Sequence, residues 1–488
     1  MMDNHIYSSE QVRQIEKKVF AKNIVNSNDL MSRAGQASFD VLQQQWPNAK
    51  RLVVMCGSGN NGGDGYVIAY LAQQANYQVQ VFCSAPPKTV DAQFMYQQAK
   101  SAGVAIEAWQ GQELLEADVI VDALLGIGLN APVTGVLAEM MTTINAHDIP
   151  VMAIDMPSGI AADTGAVCGV AVNAELTVCF IAYKLGLFTG EGKSYAGQVQ
   201  LKHLLQLTPD FYPKCPMAYR LDKAELRLPK RARHSHKGDF GHVLVIGGDE
   251  GMGGAVMMAA EAALRSGAGK VTVATHPSHV SALLARCPEV MVRGIQHAEQ
   301  LQPLIELATV IVIGMGLGRQ AWGQRLWLAV QDIDKPMIVD ADALYWLAQQ
   351  PVRRNNWILT PHSGEAGRLL ACDYLQIDAN RFQAVQQLVE KYGGVALLKG
   401  AGSLIADDNA VNLCPYGNAG MATAGMGDTL AGIIAGLVAQ FGLNLGLVSQ
   451  AVTIHALAGD KAAEAGERGL IATDLLVPLR ALLNQPSL

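Results

Sequence analysis

Charged residues are scarce in this sequence, and basic residues show no excess. Only 16% of its 488 residues are charged, the net charge is −7, and half of the residues are hydrophobic. A general nucleic-acid-binding protein would carry a basic surface instead, so we expect no nucleic-acid partner. The length exceeds one ordinary core, which predicts two or three domains of roughly 150–250 residues each.

Cysteine is also sparse, and the eight cysteines lie far apart. They form no C-x-x-C pair and no Cys/His spacing of the kind found in zinc sites. The first residues, MMDNHIYSSEQV, lack the basic patch and apolar run of a secretory signal. We therefore expect a cytoplasmic protein with reduced thiols.

Only one long apolar run invites a membrane interpretation. It is LAGIIAGLVAQFGLNLGLV, residues 430–448, which contains Gln440, Asn444 and several glycines and directly follows a glycine loop. A buried helix of a large α/β core explains these features better than a membrane span. We expect no membrane partner.

Short apolar strands alternate with helical patterns along most of the chain, which predicts parallel strands whose crossover helices cover both faces of a sheet. The predicted strands of the first half are 51–56, 78–83, 118–123, 150–155 and 176–182, with helices near 9–22, 29–45, 65–75, 90–102 and 134–147. Those of the second half are 242–247, 270–274, 309–313, 336–340, 356–359 and 395–398, with a likely pair within 403–413.

The alternation breaks within 203–237, where four prolines and a basic cluster occur. We interpret this stretch as a connection between domains at 1–217 and 223–488. Two interpretations of the basic cluster remain open, a site for phosphates and a solvated linker. Its members are Lys230, Arg231, Arg233 and Lys237.

The first glycine-rich loop lies in VVMCGSGNNGGDGYVIAYLA, residues 53–72, and contains G-x-G-x-x-G. A dinucleotide-binding fingerprint also needs an acidic residue at the end of the next strand, and a Walker loop needs Gly-Lys-Ser/Thr. Both features are missing here. What remains is a set of amides at a helix N-terminus, which favours anionic oxygen, or an Asx-rich turn without a ligand.

Two other loops follow strands that end at Asp122, in DALLGIGL, and at Asp155, in DMPSG. The carboxyl ends of parallel strands share one edge of a sheet, where ligands bind. Oxygen atoms of Asn61, Asp122 and Ser158 could there surround a hard cation. Potassium, sodium and magnesium are compatible with such ligands, whereas zinc is not favoured.

Together, GNNGGDG, DALLGIGL and DMPSG resemble the NAD(P)HX epimerase domain over about residues 8–215. NAD(P)HX is NADH or NADPH damaged by hydration of the nicotinamide ring, and this family interconverts its R and S epimers. The resemblance implies K⁺ at Asn61, Asp122 and Ser158. It also implies a substrate site made of Asn60, Asn61, Gly62, Gly63, Asp64, Gly126, Ile127, Gly128, Leu129, Asn130, Ala131, Pro132 and Asp155.

Inversion at C6 of the hydrated ring needs a proton shuttle, whether the hydroxyl leaves and returns or the ring opens and closes. Asp155 is the candidate acid/base, because it ends a buried strand where its pKa can be raised. Lys184, in YKLGLF, is a second candidate. Alternatively, Asp155 only caps the following turn.

In the second half, NAGMATAGMGDTLAGIIAGLVA places Gly425 and Gly427 before a long apolar helix, where amides can form an anion hole. Asp428 within it could be the base for phosphoryl transfer, or a simple helix cap. Gly-Met-Gly-Asp with the α/β alternation resembles the ribokinase-like fold. The predicted class is thus α/β, with an N-terminal Rossmann-like three-layer domain and a C-terminal ribokinase-like α/β domain.

Further loops narrow this to a resemblance with ADP- or ATP-dependent NAD(P)HX dehydratases over about 223–488. They are HVLVIGGDEGMGG, VIVIGMGLGR, WILTPHSGEAGRLL and VALLKGAGSLIAD. Sugar kinases of this fold often carry Asn-x-x-Glu where this chain has His362 to Glu365, which argues against an ordinary sugar kinase. The resemblance implies ADP at Lys399, Gly400, Ala401, Gly402, Ser403 and Gly427, and the hydrated substrate at Gly254, Gly316, His362 and Asp428.

The implied reaction phosphorylates the ring hydroxyl, with Asp428 as base, and phosphate then leaves to restore the dihydropyridine. Mg²⁺ would accompany ADP, with Glu365 organising it through water; ADP rather than ATP is inherited from the bacterial family pattern. We expect NADHX, NADPHX and ADP as small-molecule partners, and a homo-oligomer. The alternatives are a vitamin or sugar kinase with an accessory nucleotide-binding domain, and a non-catalytic nucleotide sensor.

Overall fold

The computed structural model describes residues 4–112, 114 and 117–484, so the outermost residues of the two predicted domains, 1–3 and 485–488, lie outside it. The chain divides into two compact units, unit 1 (Met1–Tyr219) and unit 2 (Arg220–Leu488). Each unit is an α/β structure built on a largely parallel sheet, which confirms the predicted class.

Unit 1 opens with strand β1 (His5–Ile6) and helices α1 (Ser9–Ala21) and α2 (Ser27–Gln45). The alternating part follows as β2 (Arg51–Cys56), α3 (Asn60–Gln74), β3 (Gln78–Cys83), α4 (Val90–Ser101), β4 (Ala105–Ala108), β5 (Val119–Ala123), α5 (Gly135–Asn145) and β6 (Val151–Ile154). The last elements are β7 (Leu176–Phe180), α6 (Gly192–Tyr195), β8 (Gln198–Lys202) and β9 (Ala218–Arg220).

Seven parallel strands form the sheet of unit 1, in the order β4-β3-β2-β5-β6-β7-β8. Side chains of β2 alternate between two buried cores: Leu52 and Val54 pack on the side of α1 to α4, and Val53 and Met55 on the side of α5. The sheet is thus the middle of three layers. Its strand order reverses between β3 and β5, on either side of β2, and ligands of such sheets bind at the carboxyl edge near such a reversal.

Helix α3 departs from the prediction, which started it at 65. It begins at Asn60, so NNGGDG forms its first turns. A Cβ on Gly62 would lie 2.0 Å from the carbonyl oxygen of Gly57. Because glycine is present there, the helix can start directly against the end of β2, and the predicted loop is wrong over these residues. The short strands β4 and β8 were also missed.

The helices and strands of unit 2 begin with β10 (His242–Ile246), α7 (Gly253–Arg265), β11 (Lys270–Thr275), α8 (Val280–Arg286), β12 (Met291–Gly294), α9 (Gln302–Leu307), β13 (Val310–Ile313), α10 (Ala321–Val330), β14 (Met337–Val339) and α11 (Ala341–Gln349). They continue with β15 (Trp357–Leu359), α12 (Ser363–Leu370), α13 (Tyr374–Ala379), α14 (Arg381–Tyr392), β16 (Val395–Leu398), β17 (Ser403–Ala406), β18 (Val411–Cys414), α15 (Met426–Phe441), α16 (Leu445–Ala462) and α17 (Leu476–Leu483).

The strands of unit 2 follow the order β18-β17-β16-β15-β14-β13-β10-β11-β12. From β12 to β16 neighbouring strands run parallel, and β16, β17 and β18 pair antiparallel. Strand β12 was not predicted. The parallel part brings Asp340, after β14, and Lys399, after β16, to the same edge of the sheet.

The apolar segment 430–448 forms parts of two helices rather than one, because the chain turns at Gly442 with φ +82°. Helix α15 packs closely on α7, where a Cβ on Gly432 would lie 2.2 Å from the carbonyl oxygen of Ala259. Small residues on both helices permit this approach. In the part of the chain that the structure describes, every helix is too short or too polar to span a bilayer.

Candidate functional site

A cavity of about 800 Å³ lies at the carboxyl edge of the unit 1 sheet, beside the reversal of strand order. Of the substrate residues predicted for unit 1, Gly62 and Gly63 do not line this cavity, because both are buried in α3. The others all line it: Asn60, Asn61, Asp64, Gly126, Ile127, Gly128, Leu129, Asn130, Ala131, Pro132 and Asp155.

Asp155 has a left-handed backbone, with φ +65°, immediately after β6. Its Oδ1 accepts hydrogen bonds from the Lys184 ammonium at 2.5 Å and from the Phe180 amide at 3.2 Å. A non-glycine residue in this conformation is strained, and such strain persists where the surroundings demand one orientation. Phe180, at the end of β7, and Lys184, after it, thereby orient the carboxylate of Asp155, which lines the cavity.

Lys184 is buried and fully engaged, because its ammonium also donates to the Phe180 carbonyl at 2.8 Å and contacts the Cys179 sulfur at 3.4 Å. Burial alone lowers the pKa of Lys184, but Asp155 and Cys179 outweigh it and raise that pKa above its ordinary value. A lysine held in its charged form orients Asp155 rather than shuttling protons. This favours Asp155 over Lys184 as the acid/base.

Besides Asp91 of α4, the same cavity is lined by the carboxyl groups of Glu16, from α1, and Asp64, from α3. Burial, followed by the charge of Asp155, raises the pKa of both. The sequence analysis missed Glu16. Its only signal was a helix face, since Val12, Glu16 and Phe20 are spaced by four residues.

The predicted potassium ligands include a buried pair. Ser158 donates from its amide to Asp122 Oδ2 at 2.8 Å and from its hydroxyl to Oδ1 at 2.6 Å. Burial raises the pKa of Asp122 to about 6, against these hydrogen bonds. Asn61 also reaches this edge, and its buried Nδ2 has no hydrogen-bond partner among the residues described.

In unit 2, the N-terminus of α15 carries Asp428 in its first turn, and Gly425 caps the helix with φ +89°. This left-handed φ favours glycine, and a Cβ on Gly425 would also lie 2.4 Å from the sulfur of Met258. Burial and the neighbouring Asp340 raise the pKa of Asp428 to about 7, while Lys399 opposes them. A carboxyl group with this pKa is suited to general-base chemistry near neutral pH.

Lys399, a predicted ADP ligand, is held by a residue that the sequence analysis missed. Its ammonium donates to Oδ1 of the buried Asp340 at 2.8 Å and lies 3.8 Å from Glu365. The Thr360 hydroxyl donates to the same Asp340 oxygen at 2.7 Å. Asp340 ends a predicted strand in MIVDADAL, so the rule that selected Asp155 would have found it.

The other predicted ADP residues form a tight turn between β16 and β17. The Gly400 amide donates to Ser403 Oγ at 3.3 Å, and that hydroxyl donates back to the Gly400 carbonyl at 3.1 Å. Beneath the turn, buried Arg381 donates to the carbonyls of Leu398 and Lys399, at 3.1 Å each. Ala401 and Gly402 complete the turn, and Gly427 faces it, because a Cβ there would lie 3.4 Å from Lys399 Nζ.

His362 caps helix α12, with Nδ1 accepting from the Gly364 amide at 3.0 Å and the His362 amide donating to Glu365 at 2.9 Å. The ring is nevertheless 61% exposed, so the cap leaves one face available to a ligand. Among the substrate residues predicted with it, Gly254 lies in the first turn of α7 facing open space, and Gly316 follows β13 with φ +57°.

His455, on α16, is a further buried group that the sequence analysis did not single out. Burial lowers its pKa to about 4, and Lys399 adds to this shift, so the ring is neutral near neutral pH. Within the described ranges its Nε2 has no hydrogen-bond partner.

Arg231, from the basic cluster, has a structural role. It donates to the Gly267 carbonyl and, at 2.6 Å, to Gln440, and its guanidinium lies 3.7 Å from the centre of the Phe240 ring. These contacts tie the connection to the C-terminal ends of α7 and α15, which favours the linker interpretation over a phosphate site.

The part of the chain described here contains no group of three or more His, Cys, Asp or Glu side chains suited to a metal. Each of the eight cysteines lies outside any disulfide. Any cation in unit 1 would therefore depend on neutral oxygen ligands in addition to Asp122.

Two family models match the chain: one described as NAD(P)H-hydrate dehydratase over residues 243–479, and one described as YjeF-related protein N-terminus over residues 27–186. A bifunctional NAD(P)H-hydrate repair enzyme of Coxiella burnetii is 46% identical over 487 residues, covering 98% of this chain and 99% of its own. That of Escherichia coli is 39% identical over 493 residues, covering 98% and 94%. A solved ribokinase-like superfamily protein of Enterococcus faecalis gives a TM-score of 0.52 at 33% identity, covering 55% of this chain and 95% of its own.

Proposed function

Because this chain belongs to the family of bifunctional NAD(P)H-hydrate repair enzymes, we propose that unit 1 interconverts R- and S-NAD(P)HX and that unit 2 dehydrates the S epimer. The two family models fall one in each unit, so the recognition made from the loop motifs is confirmed, as is the ribokinase-like fold of unit 2. We further propose that ADP is the phosphoryl donor, giving AMP and phosphate.

One observation carries the assignment of sites: each unit presents a carboxyl group beside the glycine-rich N-terminus of a helix at the carboxyl edge of its sheet. In unit 1 this is Asp155 next to α3, and in unit 2 it is Asp428 on α15. Helix N-termini attract phosphate oxygens, so both sites can hold a dinucleotide with its ring near an acid or base.

In unit 1, the first turn of α3 would hold the pyrophosphate, and the 126–132 loop would line the rest of the substrate. Asp155 exchanges a proton with the C6 hydroxyl as the C6–O bond breaks or the ring opens. Lys184 keeps the carboxyl group oriented through its 2.5 Å hydrogen bond. The product differs from the substrate only in configuration at C6.

In unit 2, Asp428 removes the proton of the ring hydroxyl, and the oxygen attacks the terminal phosphorus of ADP while AMP leaves. Phosphate then leaves C6 as the ring nitrogen lone pair forms a carbon–nitrogen double bond, and loss of a C5 proton restores the dihydropyridine. Lys399 and the 400–403 turn would bind the phosphates of ADP. His362, Gly316 and Gly254 would contact the hydrated substrate.

The residues at the proposed potassium site suit a monovalent hard cation. Asp122 supplies one carboxylate, and Ser158 and Asn61 supply neutral oxygens, a ligand set typical of hard cations. Because the side-chain nitrogen of Asn61 has no hydrogen-bond partner among the described residues, the amide can rotate and present its oxygen to an ion. K⁺ would supply positive charge beside the phosphates, and Mg²⁺ in unit 2 would enter with ADP near Glu365.

A cytoplasmic location and a homo-oligomeric state belong to the same proposal. Eight cysteines in the thiol form support the cytoplasmic location. The homo-oligomeric state is proposed from the sequence alone. Fractionation of cells, together with light scattering of the purified chain, tests both.

The decisive experiment supplies a mixture of R and S hydrates with ADP and follows the dihydronicotinamide absorbance. Full recovery of the absorbance supports both activities. Recovery of only the S share would leave unit 1 without its assigned role, and a phosphorylated product that accumulates would favour the kinase alternative. Parallel reactions with ATP establish the donor.

A further inference from the structure

Helix α1 lines the unit 1 cavity and is held in place by several hydrogen bonds. Ser9 donates to Asp163 from its amide at 2.6 Å and from its hydroxyl at 2.8 Å, and Ser8 and Gln11 form a capping box at the start of the helix. Arg13 donates to the Ile127 carbonyl at 3.2 Å, within the loop that follows β5. The helix is therefore tied to loops after both β5 and β6.

One face of this helix lines the cavity, through Val12, Arg13, Glu16 and Phe20. Positions 12, 16 and 20 are one helical turn apart and lie on the same face. Glu16 thus projects between two apolar neighbours, where an isolated carboxylate is costly. This helix lies outside residues 27–186, the part of unit 1 that the family model matches.

The charged side chains that line the cavity together with Glu16 come from several elements. They are Arg13 on α1, Asp64 on α3, Asp91 on α4, Asp155 after β6 and Lys184 after β7. Glu16, Asp64 and Asp155 are close enough to repel one another, and burial raises the pKa of the first two. Lys184 is already paired with Asp155, so repulsion from the neighbouring carboxyl groups favours the protonated forms of Glu16 and Asp64.

We propose that Glu16 is a second acid/base of the epimerase, acting on the substrate hydroxyl in the same cavity as Asp155. This inference rests on the proposed epimerase function. The Glu16 carboxylic acid gives its proton to the C6 hydroxyl while the C6–O bond breaks and the nitrogen lone pair forms the carbon–nitrogen double bond. Water then leaves, and the ring carries the positive charge.

The second half reverses these changes on the other face of the ring. A water molecule forms the new C6–O bond, the carbon–nitrogen electron pair returns to nitrogen, and a proton of that water passes to Asp155. Transfer of a proton from Asp155 to Glu16 within the carboxyl group cluster restores the starting state. One proton is given and one recovered, so no further reactant is needed.

The test uses the full-length chain with Glu16→Gln and Glu16→Asp, and Glu10→Gln as the matched control. Glu10 lies on the same helix but does not line the cavity. We expect Glu16→Gln to lower kcat for R-to-S conversion by about 10²–10⁴-fold, with little change in KM. Dehydration of pure S hydrate by unit 2 should stay at the wild-type rate, and Glu16→Asp should restore part of the lost rate.

The pH profile distinguishes a proton donor from a structural group. The wild-type rate should fall as pH rises through the pKa of Glu16, and Glu16→Gln should lack that limb. The inference would be overturned if Glu16→Gln epimerised the substrate at the wild-type rate. It would also be overturned if Glu10→Gln lost as much activity, or if Glu16→Gln changed only KM. If the wild-type chain itself fails to epimerise while dehydrating the S hydrate, the proposed function of unit 1 fails first.

Discussion

Both units pair a lysine that follows one strand with an aspartate that follows a nearby parallel strand. The two paired aspartates, however, have different roles. In unit 1, Lys184 holds Asp155, which is itself the candidate acid/base. In unit 2, Lys399 holds Asp340, and the candidate base is a third residue, Asp428. The same ion-pair arrangement therefore serves two kinds of proton chemistry.

The difference follows from what each reaction asks of its carboxyl groups. Epimerisation gives a proton and takes one back, which suits a cavity lined by several carboxyl groups, such as those of Glu16, Asp64 and Asp155. Phosphoryl transfer needs a single base, and burial together with repulsion from Asp340 raises the pKa of Asp428 to about 7. In unit 2, burial and a neighbouring carboxylate thus tune a single base, whereas the unit 1 cavity offers several carboxyl groups for proton exchange.

The largest effect is expected from Asp428→Asn. This change removes the base and leaves the amides of the anion hole in place, so ADP-dependent recovery of the S hydrate should fall by about 10²–10⁴-fold. The rate of R-to-S conversion, measured in the same preparation, should not change. An equal loss of both activities would show that the two sites are not independent.

The same base gives dehydration an acid limb. Asp428 must be deprotonated to act, and its pKa is raised to about 7, so the rate should fall as pH drops below about 7. Asp340→Asn removes the negative charge that adds to burial in raising the pKa of Asp428, so this variant should move the acid limb to lower pH. A limb that stays in place would contradict the role given to Asp340.

A smaller effect, on stability, separates the two ion pairs. Removing one partner of a buried pair costs about 3–5 kcal/mol. Lys184→Met should cost this much, because the side chain of Lys184 is 1% exposed, and Lys399→Met should cost less, because that of Lys399 is 19% exposed. Hydrogen exchange should accelerate in β6 and β7 for the first variant and in β14 and β16 for the second.

Lys88→Met, at an exposed position of unit 1, is the control for both lysine variants. It should leave exchange in β6 and β7 unchanged. Equal protection losses for Lys184→Met and Lys399→Met would mean that burial of the pair does not set its contribution to stability.

The smallest effect is expected from K⁺. The pKa of Asp122 is about 6 when folded, above its ordinary value, so without a cation stability falls as pH rises through this range. K⁺ binds the ionised carboxylate and should offset that loss, raising Tm at pH 7.5 but not at pH 5. At 100 times Kd the gain would be about 2.7 kcal/mol.

Choline chloride at equal ionic strength is the control for K⁺, and Asp122→Asn should abolish the gain at pH 7.5. A K⁺-dependent rise in Tm that survives in Asp122→Asn would place the cation elsewhere.

Local patterns were enough to predict much of the fold. Strands β2, β3 and β16 have the predicted bounds, because their apolar residues give a clear local signal, continuous in β2 and β16 and alternating at the start of β3. The start of α3 was missed, since glycine has a low helix propensity and only contact with the end of β2 explains its use there. Strand β4 was missed because its residues are mostly exposed.

The candidate sites show the same division. Asp155 and Asp428 were found because a strand end and a helix start are visible in the sequence. Asp340 also follows a strand, so the same rule could have found it, whereas Glu16 was missed because its importance comes from neighbours that are distant along the chain. Lys184 was found as an acid/base candidate, but its pairing with Asp155 assigns it a different part.

The sequence alone determined the α/β class, the family and the loops that carry the chemistry, because periodicity and motifs are local properties of a chain. Only the tertiary structure decided which carboxyl groups share a cavity, which lysine neutralises each, and which group keeps its proton. These depend on distance and burial, and electrostatic energies change steeply with both.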